Sequence, residues 1–269
     1  MTNSCGVVAK GILCTTDVFN QTISQLPKIK QVKEVIILER IAIITARGGS
    51  KRIPKKNIKD FCGKPVIAYS IEAAVESGLF SEVMVSTDSE EIADVAAKYG
   101  AKVPFLRSAK TSDDYATTAD VLLEVLAEYE RMGQTFDYHC CIYPTAPFVT
   151  AEKLQEAMRL MTEKHPIQVM PVVAFSYPPQ RSYVAEENGT IAFKYKEYMR
   201  ARSQDLEKWY HDAGQFYLYD TKRYLDAGGV ISSQIMPIYV SELSVQDIDT
   251  EDDWKIAELK YQLINGKKA

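Results

Sequence analysis

The chain has 269 residues, 46% hydrophobic and 25% charged, which is enough apolar material for one substantial α/β domain with a full core. Its formal net charge of −4 excludes a global basic field, and with it nucleic acid or an anionic membrane as the natural partner. No apolar run approaches the ~20 residues that span a bilayer; five cysteines with no C-x-x-C spacing indicate reduced thiols, a cytoplasmic setting and no zinc site.

Residues 1–40 lack the continuous apolar core of a signal peptide, because Lys10, Gly11 and Asp17 interrupt it. Val35 to Leu38 predicts a short strand, and no catalytic residue is expected in this segment. The stretch IAIITARGGSKRIPKKNIK, residues 41–59, predicts a strand buried on both faces that runs into a glycine-rich loop. Gly48 and Gly49 are expected to let the backbone bend sharply and a ligand approach. Arg47, Lys51, Arg52, Lys55 and Lys56 place five cations within ten residues of that bend. A parallel strand ending in such a loop is how α/β folds receive phosphate. A Walker A loop is excluded, since Gly63-Lys64 is followed by Pro65.

Beyond Gly63 the pattern alternates. A helix is predicted from Lys64 to Ser77 with Gly78 as its C-cap, a strand from Glu82 to Ser86, and a helix opened by Asp88, with Glu91 at capping-box-like spacing, that ends before Gly100. A strand from Lys102 to Leu106, a helix from Tyr115 to Arg131, a strand from Tyr138 to Tyr143, a helix from Ala151 to Lys164 and a strand from Ile167 to Phe175 follow. This rhythm predicts a three-layer α/β sandwich, a mostly parallel, Rossmann-like sheet with helices on both faces. Residues 176–215 break the rhythm and read as an insertion forming a lid, a substrate wall or a subunit contact. Strands Phe216 to Tyr219 and Ile235 to Val240 and a helix from Thr250 to Ile264 close the domain, which thus covers 41–269.

Arg47 and Lys51 are natural counter-charges for a triphosphate, with the backbone N–H groups of Gly49 and Ser50 as further donors. Lys55 and Lys56 also read as solvated loop charge. Asn57 offers the donor and acceptor that a base edge requires. In Gln246-Asp247-Ile248-Asp249-Thr250, extended spacing puts both carboxylates on one side and Ile248 inward. Two carboxylates sharing a site with phosphates is a usual way to hold Mg²⁺. Asp249 could instead cap the closing helix, but Thr250 with Asp253 already fits that role. Ser86-Thr87-Asp88 at a strand end could touch ribose or base, or Asp88 could simply cap its helix. His211 in isolation reads as a histidine satisfied by Asp212.

Ala46 to Arg52 followed by Lys56-Asn57 resembles the signature of the CMP-sugar synthetases, with Thr45 where that family usually has proline. The resemblance implies a nucleotide-diphospho-sugar transferase fold, CTP and a nine-carbon acidic sugar as substrates, Mg²⁺ on Asp247 and Asp249, and a homodimer that shares its sugar site through 176–215. It assigns nucleotide contacts to Arg47, Gly49, Ser50, Lys51, Lys56 and Asn57, and catalytic roles to Lys51 and Asp249; Ser86, from its strand-end position, is expected at the nucleotide as well. Residues 1–40 are then an extension before the family's usual start. Tyr143-Pro144-Thr145-Ala146-Pro147-Phe148 occupies the place of L-Q-P-T-S-P-L-R in the sialic acid branch, with Tyr143 for the glutamine and Val149 for the arginine. Arg202 to Glu207 and Trp209 to Tyr217 resemble the pseudaminic acid branch, which makes surface or flagellar glycan precursors. That places Tyr143, Gln204, Asp205, His211, Asp212 and Gln215 at the sugar. The same reaction on sialic, legionaminic or 3-deoxy-octulosonic acid remains open, as do a nucleotide-sugar glycosyltransferase and a CTP-binding protein without turnover.

Overall fold

The computed structural model describes residues 38–266. The strand predicted from Val35 lies outside the described residues but for its last position, Leu38, which is not in a strand.

The first strand, β1 (Arg40–Thr45), is wholly apolar in its middle, and its side chains alternate between two cores. Ala42 and Ile44 face one side, Ile41 and Ile43 the other, as the twofold period of a strand requires. β4 (Glu82–Ser86) and β5 (Tyr138–Ile142) flank β1, both parallel to it. Between β1 and β4 in sequence come two short strands, β2 (Asp60–Phe61) and β3 (Lys64–Pro65), which form a separate small ribbon. β6 (Gln168–Ala174) pairs antiparallel with β9 (Tyr210–Asp212) and β10 (Phe216–Asp220), and parallel with β11 (Ile235–Tyr239). β10 lies antiparallel between β5 and β6, so the seven-stranded sheet is mostly parallel, in the order β11-β6-β10-β5-β1-β4, with β9 also on β6. Inside 176–215, β7 (Tyr183–Ala185) and β8 (Ile191–Phe193) form a hairpin of their own. The insertion therefore ends by rejoining the main sheet through β9.

Helices cover both faces. On one, α1 (Val66–Glu76), α2 (Glu90–Lys98) and α5 (Ala151–Lys164) pack Ile67, Ile71, Ile92, Leu154 and Met158 against Ala42, Ile44, Val85 and Ile142. A single turn, α3 (Ala109–Ser112), leads into α4 (Thr118–Arg131), which packs Leu122, Val125 and Tyr129 on the other face, with Tyr224 of α6 (Thr221–Asp226). The closing helix α7 (Glu251–Asn265) contributes Trp254 and Ala257 to a third cluster with Ile53, Phe61, Val66 and Ile248.

Three sequence expectations change. The strand expected at Lys102–Leu106 reduces to one bridge, Lys102 beside Met84, because Pro104 has no N–H to extend a ladder. The cap of α2 is Ser89, whose Oγ accepts from the Ile92 N–H, while Asp88 serves elsewhere and Glu91 pairs with Lys55. The helix expected from Tyr115 starts at Thr118, where Thr117 and Asp120 make a reciprocal capping box. Gly78, by contrast, does follow α1 with φ +64°, a conformation open chiefly to glycine.

His139 on β5 is fully buried, its Nδ1 3.0 Å from Thr221 Oγ1 and its ring stacked on Tyr219. Burial lowers its pKa from 6.5 to about 3. Below pH 6.5 the unfolded chain therefore takes up a proton that the native state refuses, so stability falls as pH drops from about 6.5 towards 3. The expected loss is ~1.4 kcal/mol per pH unit. His139→Gln should flatten that slope by about one proton in urea unfolding between pH 6.5 and 4.5; an unchanged slope would contradict it.

Candidate active site

At the carboxyl end of β1 the chain turns into the cationic loop, which borders a cleft of about 420 Å³ lined by Thr45, Arg47, Ser50, Lys51, Lys56 and Asn57 on one side and Asp114, Pro144 and Thr145 on the other. Neither Gly48 nor Gly49 has a positive φ. Gly48 is instead tightly enclosed: a Cβ there would sit 3.1 Å from Ser89 Cβ, and its N–H donates to Asp88 Oδ1 at 2.7 Å. Gly49 is open, with nothing within 4 Å of a built Cβ. Arg47 Nη1 donates to the Asp113 carbonyl at 2.8 Å and to Asp114 Oδ1 at 3.0 Å, and Lys51 Nζ donates to Asp114 Oδ2. The Lys51 ammonium holds the Asp114 carboxyl below its ordinary pKa. Asn57 is buried and spends its amide on the Arg47 carbonyl (2.9 Å), which fixes the loop; its other face lines the cleft.

The D-I-D segment meets the cationic loop through Arg52 and Lys56 without itself lining the cleft, and its side chains sort as the alternation predicts. Ile248 is buried among Phe61, Trp254 and Ala257, and Asp247 and Asp249 lie outward. Arg52 Nη2 donates to Asp249 Oδ1 at 2.8 Å, and Lys56 Nζ reaches the Ile248 carbonyl at 2.7 Å and Asp249 Oδ1 at 3.5 Å. The capping of α7 belongs to Thr250 and Asp253, so Asp249 is not a helix cap. Among the described residues, the Asp247 carboxylate and Asp249 Oδ2 have no hydrogen-bond donor, and no three His, Cys, Asp or Glu side chains cluster. Two outward carboxylates with free oxygens, one of them paired with the cationic loop, would fit a hard divalent cation whose shell other oxygens and water complete.

Two further clefts adjoin this one in turn, the second reaching over the face of the sheet. One of about 240 Å³ shares Thr45, Arg47 and Asp114 and adds Arg107, Thr117 and Thr118. Arg107 is 8% exposed; its Nε donates to Ser86 Oγ at 3.1 Å and its Nη2 to the Ser86 carbonyl at 2.6 Å. Burial lowers its pKa, against the pull of the Asp88 and Glu124 carboxylates. Ser86, expected at the nucleotide, is itself buried and instead seats this guanidinium. Arg107 carries no loop-like signature in the sequence; its position just after a failed strand hid it.

The other cleft, about 360 Å³, is lined by Thr118, Tyr143, Gln168, Asp212, Tyr217 and Tyr219 among others. Asp212 Oδ2 accepts from Tyr217 Oη at 2.6 Å and its Oδ1 from the Gly214 N–H at 2.7 Å, so the carboxylate is fixed. Burial first, then Asp212, raises the Tyr217 pKa, which keeps the phenol a donor. Of the expected sugar residues, Tyr143 and Asp212 meet here and the others do not. His211 is exposed, bonded to the Asp212 carbonyl rather than its carboxylate, and packed on Phe175. Gln204 and Asp205 sit on an exposed turn where Arg202 holds Asp205 at 2.7 Å. Gln215 is buried behind, donating to the Ser244 carbonyl at 2.6 Å with its Oε1 unpartnered.

Residues 41–246 match the family model described as Cytidylyltransferase. The chain belongs to the cytidylyltransferase family. As a family member it is a nucleotidyltransferase. It is 40% identical over 226 residues to a pseudaminic acid cytidylyltransferase of Campylobacter jejuni, covering 84% of this chain and 97% of that one. A CMP-N,N'-diacetyllegionaminic acid synthase of Legionella pneumophila is 33% identical over 232 residues, covering 83% and 96%. Among solved structures, CMP:2-keto-3-deoxy-manno-octonic acid synthetase complexed with CTP superimposes with a TM-score of 0.61, at 18% identity, over 85% of this cytidylyltransferase and 99% of that chain. At that identity the likeness is one of fold.

Proposed function

We propose that this cytidylyltransferase couples CTP to pseudaminic acid, giving CMP-pseudaminic acid and pyrophosphate, with Mg²⁺ held by Asp247 and Asp249. The observation that carries the reading is the set of adjoining clefts that share lining residues, cationic at one end and phenolic at the other. Arg47, Lys51, Ser50 and the Gly49 N–H face the triphosphate, and Lys56 and Asn57 approach the nucleoside. Arg107 sits where the two ends meet. Tyr143, Asp212 and Tyr217 receive the sugar; a fixed carboxylate among phenols suits a substrate rich in N–H and O–H donors. The sugar's anomeric oxygen bonds to the α-phosphorus as the bond to pyrophosphate breaks, and the hydroxyl proton leaves to solvent or a phosphate oxygen. Positioning and charge neutralisation supply most of the acceleration in such transfers. Arg47 and Lys51 stabilise the charge that grows on pyrophosphate. When bound, the Mg²⁺ ion would neutralise phosphate charge and favour ionisation of the attacking hydroxyl.

The 40% identity to the Campylobacter jejuni protein supports pseudaminic acid over other acidic sugars, and the product would then serve surface or flagellar glycan synthesis. No helix among the described residues is long and apolar enough to cross a membrane. With free cysteines Cys62, Cys140 and Cys141, this suits a cytoplasmic enzyme. Exposed Phe175, Tyr177, Tyr183, Ile191 and Tyr210 in and beside the insertion suit a homodimer contact. The test offers CTP and Mg²⁺ with pseudaminic, legionaminic and N-acetylneuraminic acids together and identifies the product by mass. CMP-pseudaminic acid is expected; dominance of another CMP-sugar would overturn the substrate.

A further inference from the structure

The cations of the phosphate loop are already paired in the protein. Asp114, on the cleft wall, bridges Arg47 and Lys51, and Asp249 holds Arg52 and Lys56. Asp249 belongs to the carboxylate pair discussed above, but Asp114 has no such duty. It sits between α3 and α4, on a turn built by its neighbour: Asp113 Oδ1 accepts from the N–H groups of Tyr115 (2.9 Å) and Ala116 (2.7 Å). Thr117 and Asp120 then anchor α4. The turn therefore stands without the Asp114 carboxylate, which is left to the two cations alone. Tyr115 beside it is 91% exposed, so no apolar contact at that position pins the side chain.

We propose that Asp114 is an internal stand-in for phosphate, a specificity-determining residue that competes with anions for Arg47 and Lys51. The proposal rests on the reading of this loop as a phosphate site. A carboxylate bridging two cations offers them one negative charge. A ligand displaces it with net gain only if it brings more charge, which favours a nucleoside triphosphate over a monophosphate or an inorganic anion. Rotation of one side chain withdraws the carboxylate from both cations without moving α4, leaving Arg47 its bond to the Asp113 carbonyl. When pyrophosphate has formed, the returning carboxylate competes for the same cations and speeds its departure. The pairs are exposed, with side chains 39% to 77% accessible, so the competition is moderate in size.

The experiment titrates the full-length protein and its Asp114→Asn and Asp114→Glu variants with pyrophosphate and with tripolyphosphate by calorimetry. Circular dichroism melting checks that each variant is folded. Asp114→Asn should bind pyrophosphate about five- to tenfold more tightly than the unmodified protein, as expected when two exposed ion pairs no longer compete. Asp114→Glu, which keeps the charge, should stay within about twofold. A gain of similar size is expected for tripolyphosphate, since either anion must displace the same carboxylate. Unchanged or weaker binding by Asp114→Asn, or equal tightening by Asp114→Glu, would overturn the proposal while leaving the phosphate site intact. Failure of the unmodified protein to bind either anion would instead sink the phosphate reading, and this proposal with it.

Discussion

Asp249→Ala should lower kcat with CTP by ~10²–10³-fold, and raising Mg²⁺ should not restore it. Two things go together in this variant. One of two carboxylates able to hold a divalent cation is lost, and Arg52 and Lys56 lose the anion that holds them at the cleft wall. The fold should survive. Asp249's partners are a largely exposed arginine and a lysine that also bonds the Ile248 carbonyl. The start of α7 is secured by Thr250 and Asp253. The melting temperature should therefore move little, while Mg²⁺-dependent turnover disappears. Near-normal turnover in the variant would show that the carboxylate pair does not serve the metal.

Phe61→Ala should cost ~3–5 kcal/mol of stability, the range for removing a large aromatic side chain from a packed core. Phe61 is fully buried and meets Tyr69, Trp254 and Tyr261 edge-on, each at 5.6 Å between ring centroids. Ile248 and Ile53 belong to the same cluster, so this core seats both the extended D-I-D segment and the cationic loop. The variant should thus lose activity beyond its loss of stability, with kcat falling even at temperatures where it remains folded. Guanidinium unfolding and initial rates at low temperature separate the two effects. A stability loss with unchanged kcat would mean that the cluster supports the fold without positioning the carboxylates.

What the sequence made legible was whatever is written in local pattern. β1 and its cationic loop are contiguous, and the alternation in Asp247-Ile248-Asp249 sorts side chains without knowledge of any partner. The capping of α7 by Thr250 and Asp253 was equally local. Residues whose role depends on distant partners were not legible. Arg107 acquires its setting from Ser86, and Asp114 from Arg47 and Lys51, more than sixty positions away. Both lie in the stretch where Pro104 stops a strand and Asp113 builds a turn, so no period marks them. Asp88 looked like a helix cap because its spacing fitted one; the actual cap is one residue later, and Asp88 ties the loop to the end of β4 instead. The antiparallel course of β10 was likewise hidden, since a buried strand reads the same in either direction. In the insertion, the motif from Trp209 to Tyr217 was recognisable as a unit. Only the fold separates Asp212, which faces the cleft with Tyr217, from His211, whose alternate position on β9 turns it towards Phe175.

The most direct test of the central claim is pyrophosphate release from CTP, measured with Mg²⁺ and each acidic sugar in turn and with chelator as control. Release that requires pseudaminic acid and Mg²⁺ together is the result this account predicts. Release with a different acidic sugar would keep the chemistry and replace the substrate. Binding of CTP with no pyrophosphate released from any of the sugars would contradict the assignment of these clefts as a working cytidylyltransferase site.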